Sequence, residues 1–162
     1  MEIRKGTIEE FKLLWKYSES TTYRYFLGNI TSKNTEFWTV DLDGLLVGEL
    51  YIFFDSPDKD EANGVNRAYL CAFRINKEYQ NKGYGQLLMS KVLDRTKELG
   101  ITEVTIGIDN REYDKLHEFY SKFGFNEVVK EKTIDLHYLN KRGKPQQYME
   151  PYKLMIRKEE KR

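Results

Sequence analysis

The stretch Tyr69-Leu-Cys-Ala-Phe-Arg-Ile75, followed by Gln80-Asn-Lys-Gly83-Tyr-Gly85 and then by Leu88, Val92, Arg95 and Leu99 at helical spacing, decides how this chain reads. The first segment is short, β-rich and mostly apolar, the pattern of a strand buried on both faces. The last is an amphipathic helix, and Gly100 stands where a C′ glycine would stop it. Between them, the turn sets a row of unpaired backbone N–H groups at a helix N-terminus, where the dipole favours negative charge. Gly83 and Gly85 lack the Cβ that would hinder an anion, and either can take a positive φ that lets successive N–H groups converge. Lys82 adds a formal positive charge. The composite is a turn suited to phosphate, although a Gly-x-Gly before a helix is often only a turn.

Three phosphate loops compete for this pattern. The P-loop string Gly-x-x-x-x-Gly-Lys-Ser/Thr does not occur. The dinucleotide fingerprint needs a third glycine where Leu88 stands, and it follows a first strand, whereas this turn arrives mid-chain. The remaining pattern, Gln80-x-x-Gly83-x-Gly85 between a strand and a helix, resembles the acetyl-CoA loop of the GNAT superfamily of N-acetyltransferases. A second element stands at the right remove. Residues 103–108 read as a strand, and the helix after it ends Tyr120-Ser-Lys-Phe-Gly124-Phe125, which is similar to the family's Tyr-x-x-x-Gly-Phe element.

Composition sets the outer bounds. At 162 residues the chain reads as one domain, 1–162, large enough to bury roughly 70% of its unfolded surface. The single cysteine, Cys71, excludes an intramolecular disulfide and points to a reducing, cytoplasmic setting; in an apolar strand it reads as a small buried hydrophobe. No apolar leader opens the chain and no segment approaches a membrane span, so a soluble protein without a membrane partner is expected. With 27 Lys and Arg against 26 Asp and Glu, no global field steers it to nucleic acid. The local basic spots at Lys141, Arg142 and Lys144 and in the tail from Arg157 read as solvated surface.

Outward from the turn, residues 7–17 open with a Thr7-x-x-Glu10 capping box and set Phe11, Leu14 and Trp15 on one face of a first helix. Residues 18–28 read as a short second helix or a loop with Tyr23, Tyr25 and Phe26 inward. Residues 37–40 and 45–54 form a hairpin about Asp43-Gly44, and 55–64 form a polar, acidic connector. Three strands thus precede the loop. Residues 127–138 and 147–157 read as two further strands about the turn-rich Asn140 to Pro145. The fold class is α/β (α+β): one mixed, mostly antiparallel sheet flanked by helices. The resemblance adds that the sheet is splayed beside the strand feeding the loop. It also implies that the backbone of Phe73, Arg74 and Ile75 faces the pantetheine amides as a short added strand would.

The resemblance implies acetyl-CoA as acyl donor and direct transfer to a primary amine of a small molecule or peptide. Such transfer needs an amine of pKa about 10.4 to lose its proton at pH 7, at about 4.6 kcal/mol, and the departing thiolate to gain one. The diphosphate falls to the amides of Gln80, Asn81, Lys82, Gly83, Tyr84, Gly85 and Gln86. Tyr120 is the candidate acid, although Tyr113, Leu116, Tyr120 and Phe123 at helical spacing also read as core. Where the family has a pantetheine-binding asparagine this chain has Tyr113; Asn110 either substitutes or caps the helix. The family's strand glutamate aligns with Tyr69, leaving Glu49 on the preceding strand as base or water anchor, against a bland reading as an outward-facing glutamate.

His117 and His137 lack partners at metal spacing and read as surface or packing residues; no metal is expected. The resemblance implies that the acceptor pocket is finished by Tyr17–Phe26 and the loop about Lys141, and a homodimer stays open. Two other readings remain. A non-catalytic acyl-CoA-binding module would keep the turn without acid or base, and a nucleotide-binding domain would bind NAD or ATP instead.

Overall fold

The computed structural model describes residues 1–15 and 20–159. In chain order its elements are β1 (Glu2–Lys5), α1 (Ile8–Leu14), α2 (Thr21–Thr31), β2 (Thr35–Leu42), β3 (Leu45–Phe53), β4 (Arg67–Ile75), α3 (Tyr84–Glu98), β5 (Glu103–Asp109), α4 (Tyr113–Ser121), β6 (Glu127–Leu139) and β7 (Pro145–Lys158). All seven strands join one sheet in the order β1-β2-β3-β4-β5-β7-β6, and only the β4–β5 pair is parallel.

The sheet buries both faces. Against one lie Leu88, Met89, Val92 and Leu93 of α3 and Tyr120 of α4, packed on Leu50, Ile52, Leu70 and Ile106. Against the other lie Phe11 of α1 and Tyr23 and Phe26 of α2, packed on Phe37, Tyr51, Phe53, Tyr69 and Leu154. This second core is nearly all aromatic, and its rings meet edge-on or stacked at 5–6 Å, as Phe26 does with Tyr51 at 5.1 Å and Phe53 at 5.2 Å.

Local chemistry fixes the ends of these elements. The Thr7–Glu10 capping box forms in both directions, Ser20 caps α2 through Tyr23, and Gly100 ends α3 at φ 77°. Asp43 and Gly44 both take positive φ, 53° and 99°, as a two-residue hairpin turn requires.

The feature that positions the site is a parting of strands. β4 and β5 pair only from Arg67↔Glu103 to Leu70↔Ile106. Beyond that point β4 continues with β3 through an irregularity where Ala72 takes φ 52°, while β5 continues with β7 to Asp109↔Tyr152. The sheet is therefore splayed from Cys71 and Gly107 onward.

Several sequence-based expectations need correction. Four strands precede the turn, because Glu2–Lys5 adds an edge strand too short to show a period. β4 is buried on both faces only from Ala68 to Leu70; its second half is more open because β5 has left it. Of the stretch 18–28, the part from Thr21 is helical, and the first helix ends at Leu14; residues 16–19 fall outside the described residues. Leu99 lies on the exposed side of the α3 terminus, and Arg95 pairs with Glu36 at 2.8 Å instead of packing.

The acidic connector is no solvated loop. Glu61 is fully buried, accepts from Ser56 at 2.7 Å, and pairs with Lys132 of β6 at 2.7 Å. Asp58 meets the same ammonium at 2.7 Å, so every charge in this buried knot has an opposite.

Candidate active site

The turn between β4 and α3 has the geometry of an anion cradle. Asn81 and Gly83 take φ of 61° and 88°, and Gly83 is the N-cap of α3 with no side chain closing it. Among the described residues none of the amides of Asn81 through Gln86 donates a hydrogen bond; the first to do so is Leu87, to the Gly83 carbonyl at 3.1 Å. These are the orphan donors of a helix start, and the segment is exposed or half-exposed. The residues present therefore fit a diphosphate.

The two glycines differ. Gly83 uses its positive φ, and a Cβ there would meet nothing within 4 Å. Gly85 is helical, and a Cβ on it would meet Phe73 at 3.4 Å and Ile75 at 3.7 Å, ordinary contacts, so neither its angle nor its surroundings demand glycine. Gln80 folds back and donates from its side-chain amide to the Ile75 carbonyl at 2.9 Å, which ties the turn to the strand end. The Lys82 ammonium lies 5.8 Å from the Tyr79 ring centre, beside the free amides.

A cleft of about 610 Å³ runs through the splay from one sheet face to the other. Leu70, Phe73 and Tyr120 line it on the α3–α4 side; Tyr69, Asp135, Tyr148 and Tyr152 line it on the α1–α2 side. Gly107 keeps the passage open at its middle, since a Cβ there would sit 3.0 Å from the Tyr152 ring. Tyr120 is 6% exposed and packs against Phe73, Phe119 and Phe125, and its hydroxyl makes no hydrogen bond among the described residues. Burial holds its phenol protonated, well above the usual range. It is thus both core residue and cleft wall, two readings that the helical spacing had set against each other.

Glu49 is not outward-facing. It is 9% exposed on the α1–α2 side, and Arg74 donates to its Oε1 from Nε at 3.0 Å and from Nη2 at 2.6 Å. Burial raises its pKa, and the guanidinium pulls the other way. Its Oε2 accepts no hydrogen bond among the described residues, and Glu49 does not line the cleft. Arg74 turns away to the same pair and lies 5.7 Å from the Trp15 ring centre, while Ile75 packs between Gly48 and Gly85.

Asn110 neither caps α4 nor lines the cleft. Its Oδ1 accepts from Lys153 at 3.1 Å, and the cap of that turn is Asp109, which accepts from the Arg111 amide. His137 is buried against Tyr25, Phe53 and Tyr69, and His117 stacks on Tyr113.

The two stretches expected to finish the acceptor pocket do meet. Thr21 and Thr22 of α2 donate to the carbonyls of Asn140 and Leu139, at 2.5 and 3.1 Å, and bind α2 to the β6–β7 hairpin tip. Tyr17 lies outside the described residues. Sequence reasoning missed Asp135, Tyr148, Glu150 and Tyr152 as cleft residues. The i, i+2, i+4 spacing of the last three on one strand was a usable sign that they share a face.

Comparison with known proteins fits this geometry. The model of the acetyltransferase (GNAT) family matches residues 3–125. A [ribosomal protein bS18]-alanine N-acetyltransferase of Haemophilus influenzae is 36% identical over 64 residues, 40% of this chain and 42% of that protein, so the match spans less than half of that relative. Among solved structures, a spermidine N-acetyltransferase chimera from Vibrio cholerae superposes with a TM-score of 0.65 at 13% identity, covering 98% of this chain and 96% of that one. An aminoglycoside 6′-N-acetyltransferase complexed with coenzyme A superposes with a TM-score of 0.65 at 13% identity, covering 100% and 99%.

Proposed function

The chain belongs to the GNAT family of acetyltransferases, and on that footing we propose that it passes the acetyl group of acetyl-CoA directly to a primary amine of a small molecule or peptide. The observation that carries the reading is a strand–turn–helix unit whose turn leaves the amides of Asn81–Gln86 free and whose strand, β4, walls the cleft beside Tyr120. Acetyl-CoA is the donor this family uses, and its diphosphate suits the cradle, with the Lys82 charge beside it. The free edge of β4 past Leu70 offers its backbone to the pantetheine at Phe73, Arg74 and Ile75.

In the transfer, the amine nitrogen bonds the acetyl carbon as the carbon–sulfur bond breaks. The ammonium first gives up one proton to become the attacking amine, a second leaves the nitrogen for solvent as the amide forms, and one reaches the sulfur. Tyr120 gives the sulfur its proton: its buried hydroxyl has no competing partner and opens on the cleft. Glu49 takes the first through water at its free Oε2, and Arg74 fixes the carboxylate for that task. The single Cys71 suits a cytoplasmic setting, and no helix among the described residues is long and apolar enough to cross a membrane.

The test is to incubate the protein with acetyl-CoA and a panel of primary amines while following release of the CoA thiol. Amine-dependent release that falls on Tyr120→Phe supports the proposal. Saturable CoA binding with no release on any amine supports the rival acyl-CoA-binding module, which the Tyr69 found at the family's glutamate position favours.

A further inference from the structure

On the α1–α2 side the cleft ends at a carboxylate that no cation answers. Asp135 of β6 is half-buried, and its Oδ1 accepts from the His137 backbone N–H at 2.9 Å. Its Oδ2 has only the Tyr148 hydroxyl at 3.5 Å, and among the described residues no Lys, Arg or His nitrogen approaches it within 4 Å. A half-buried carboxylate with one backbone hydrogen bond, one long contact and no countercharge is costly unless a ligand completes it. The contrast with its surroundings is sharp: Asp58, Glu61 and Asp109, the neighbouring acids, each have a cation within 3.0 Å.

Three phenols frame Asp135. Tyr69, Tyr148 and Tyr152 line the same cleft, the last two rings edge-on at 6.1 Å, with Tyr152 fixed by donating to the Ile134 carbonyl at 3.3 Å. Burial holds all three above the ordinary tyrosine range, and the Asp135 charge adds to it. The other charged groups that face the cleft are the closed Asp109–Arg111 pair and the exposed Glu150, so the acceptor side carries excess negative charge. Aromatic faces around a carboxylate are the chemistry that recognises an alkylammonium ion.

The reacting amine must be neutral when it attacks, so a carboxylate pairing with that nitrogen would hold its proton in place and hinder transfer. A second cationic centre has no such conflict. Resting on the transfer reading above, we propose that the acceptor is a diamine-type cation and that Asp135, within the frame of Tyr69, Tyr148 and Tyr152, holds the ammonium that does not react. Asp135 is a specificity-determining residue here and moves no proton.

The probes are 1,5-diaminopentane and pentylamine, which differ by one terminal ammonium. Binding of each to the CoA-loaded protein is measured by calorimetry, and acetylation of each is followed by thiol release. Wild-type protein should bind the diamine at least tenfold more tightly, and Asp135→Asn, which keeps the oxygen that accepts from His137, should bring the two affinities together. Equal affinities in wild type, or a preference that survives Asp135→Asn, overturn the role of Asp135. Selective binding without thiol release from either amine supports that role and overturns the transfer reading; release at equal rates from both amines does the reverse. The wild-type comparison needs no variant to fold.

Discussion

Replacing Gly83 by alanine asks how much the cradle depends on one backbone angle. The new methyl meets no atom within 4 Å, so the cost comes from φ 88° alone. Holding an L-residue in the left-handed region costs about 1–2 kcal/mol. Two outcomes are open to the variant, and they are linked. If the turn keeps its shape, the free protein loses that energy, and for a chain of this size the melting temperature falls by about 2–4 °C per kcal/mol. If the turn relaxes into another shape, the free protein is spared and coenzyme A must rebuild the cradle on binding. At 1.4 kcal/mol per tenfold, affinity then falls by about 5- to 30-fold.

The loss of stability and the loss of binding energy should therefore sum to about 1–2 kcal/mol, however they divide. Differential scanning calorimetry of the free protein and titration calorimetry with coenzyme A measure the two parts. Gly85→Ala is the control: its residue is helical and the added Cβ makes only ordinary contacts of 3.4–3.9 Å, so a loss well below that of Gly83→Ala is expected. A Gly83→Ala protein with unchanged melting temperature and unchanged affinity would refute the reasoning, because the amides would then converge without the left-handed glycine.

Other outcomes follow from the same geometry. Tyr120→Phe should lower kcat at least tenfold while leaving the melting temperature nearly unchanged, since the hydroxyl bonds nothing among the described residues; an unchanged kcat removes Tyr120 as acid. Glu49→Gln should slow transfer most near pH 7 and least above pH 10, where the amine is already neutral, and a loss independent of pH would show that Glu49 only supports the sheet. Burial holds His137 down to about 4 from 6.5, so the unfolded chain binds more protons between those values and stability should fall as pH drops from 6.5 to about 4. His137→Phe should flatten that part of the curve in urea titrations, and an equally steep curve would assign the proton uptake elsewhere. Asp58, held at about 2 by Lys132 and Lys130, should add a separate loss as pH falls from 3.8 toward 2, which Asp58→Asn would abolish.

The central unit was legible because each of its parts has a local cause. An apolar β-rich run, a glycine needing positive φ and an amphipathic helix with a C′ glycine are all visible without knowing what lies beside them. What escaped depends on partners distant in the chain. The short β1 shows no period of its own and exists by pairing Glu2–Lys5 with Trp38–Asp41. Glu49 reads as an ordinary alternating polar residue; its burial comes from packing on the α1–α2 side and from Arg74, its register partner on β4 and 25 residues on in the chain. Gly85 looked like a second flexible glycine, but it is helical, and the positive φ belongs to Gly83 and Asn81.

Asp135 and Tyr152 reach the cleft through the β6–β7 register, which shifts at three irregularities between Val128 and Leu139. No count along the sequence predicts where such shifts fall, so the donor end of the site could be read from residues while the acceptor end could not.

The most direct measurement is a crystal structure of the protein with coenzyme A. The account predicts the diphosphate oxygens within hydrogen-bond distance, about 2.7–3.2 Å, of amides between Asn81 and Gln86, with the thiol carried into the splay beside Tyr120. A coenzyme bound elsewhere, or a cradle whose amides had turned inward onto the protein's own carbonyls, would contradict it.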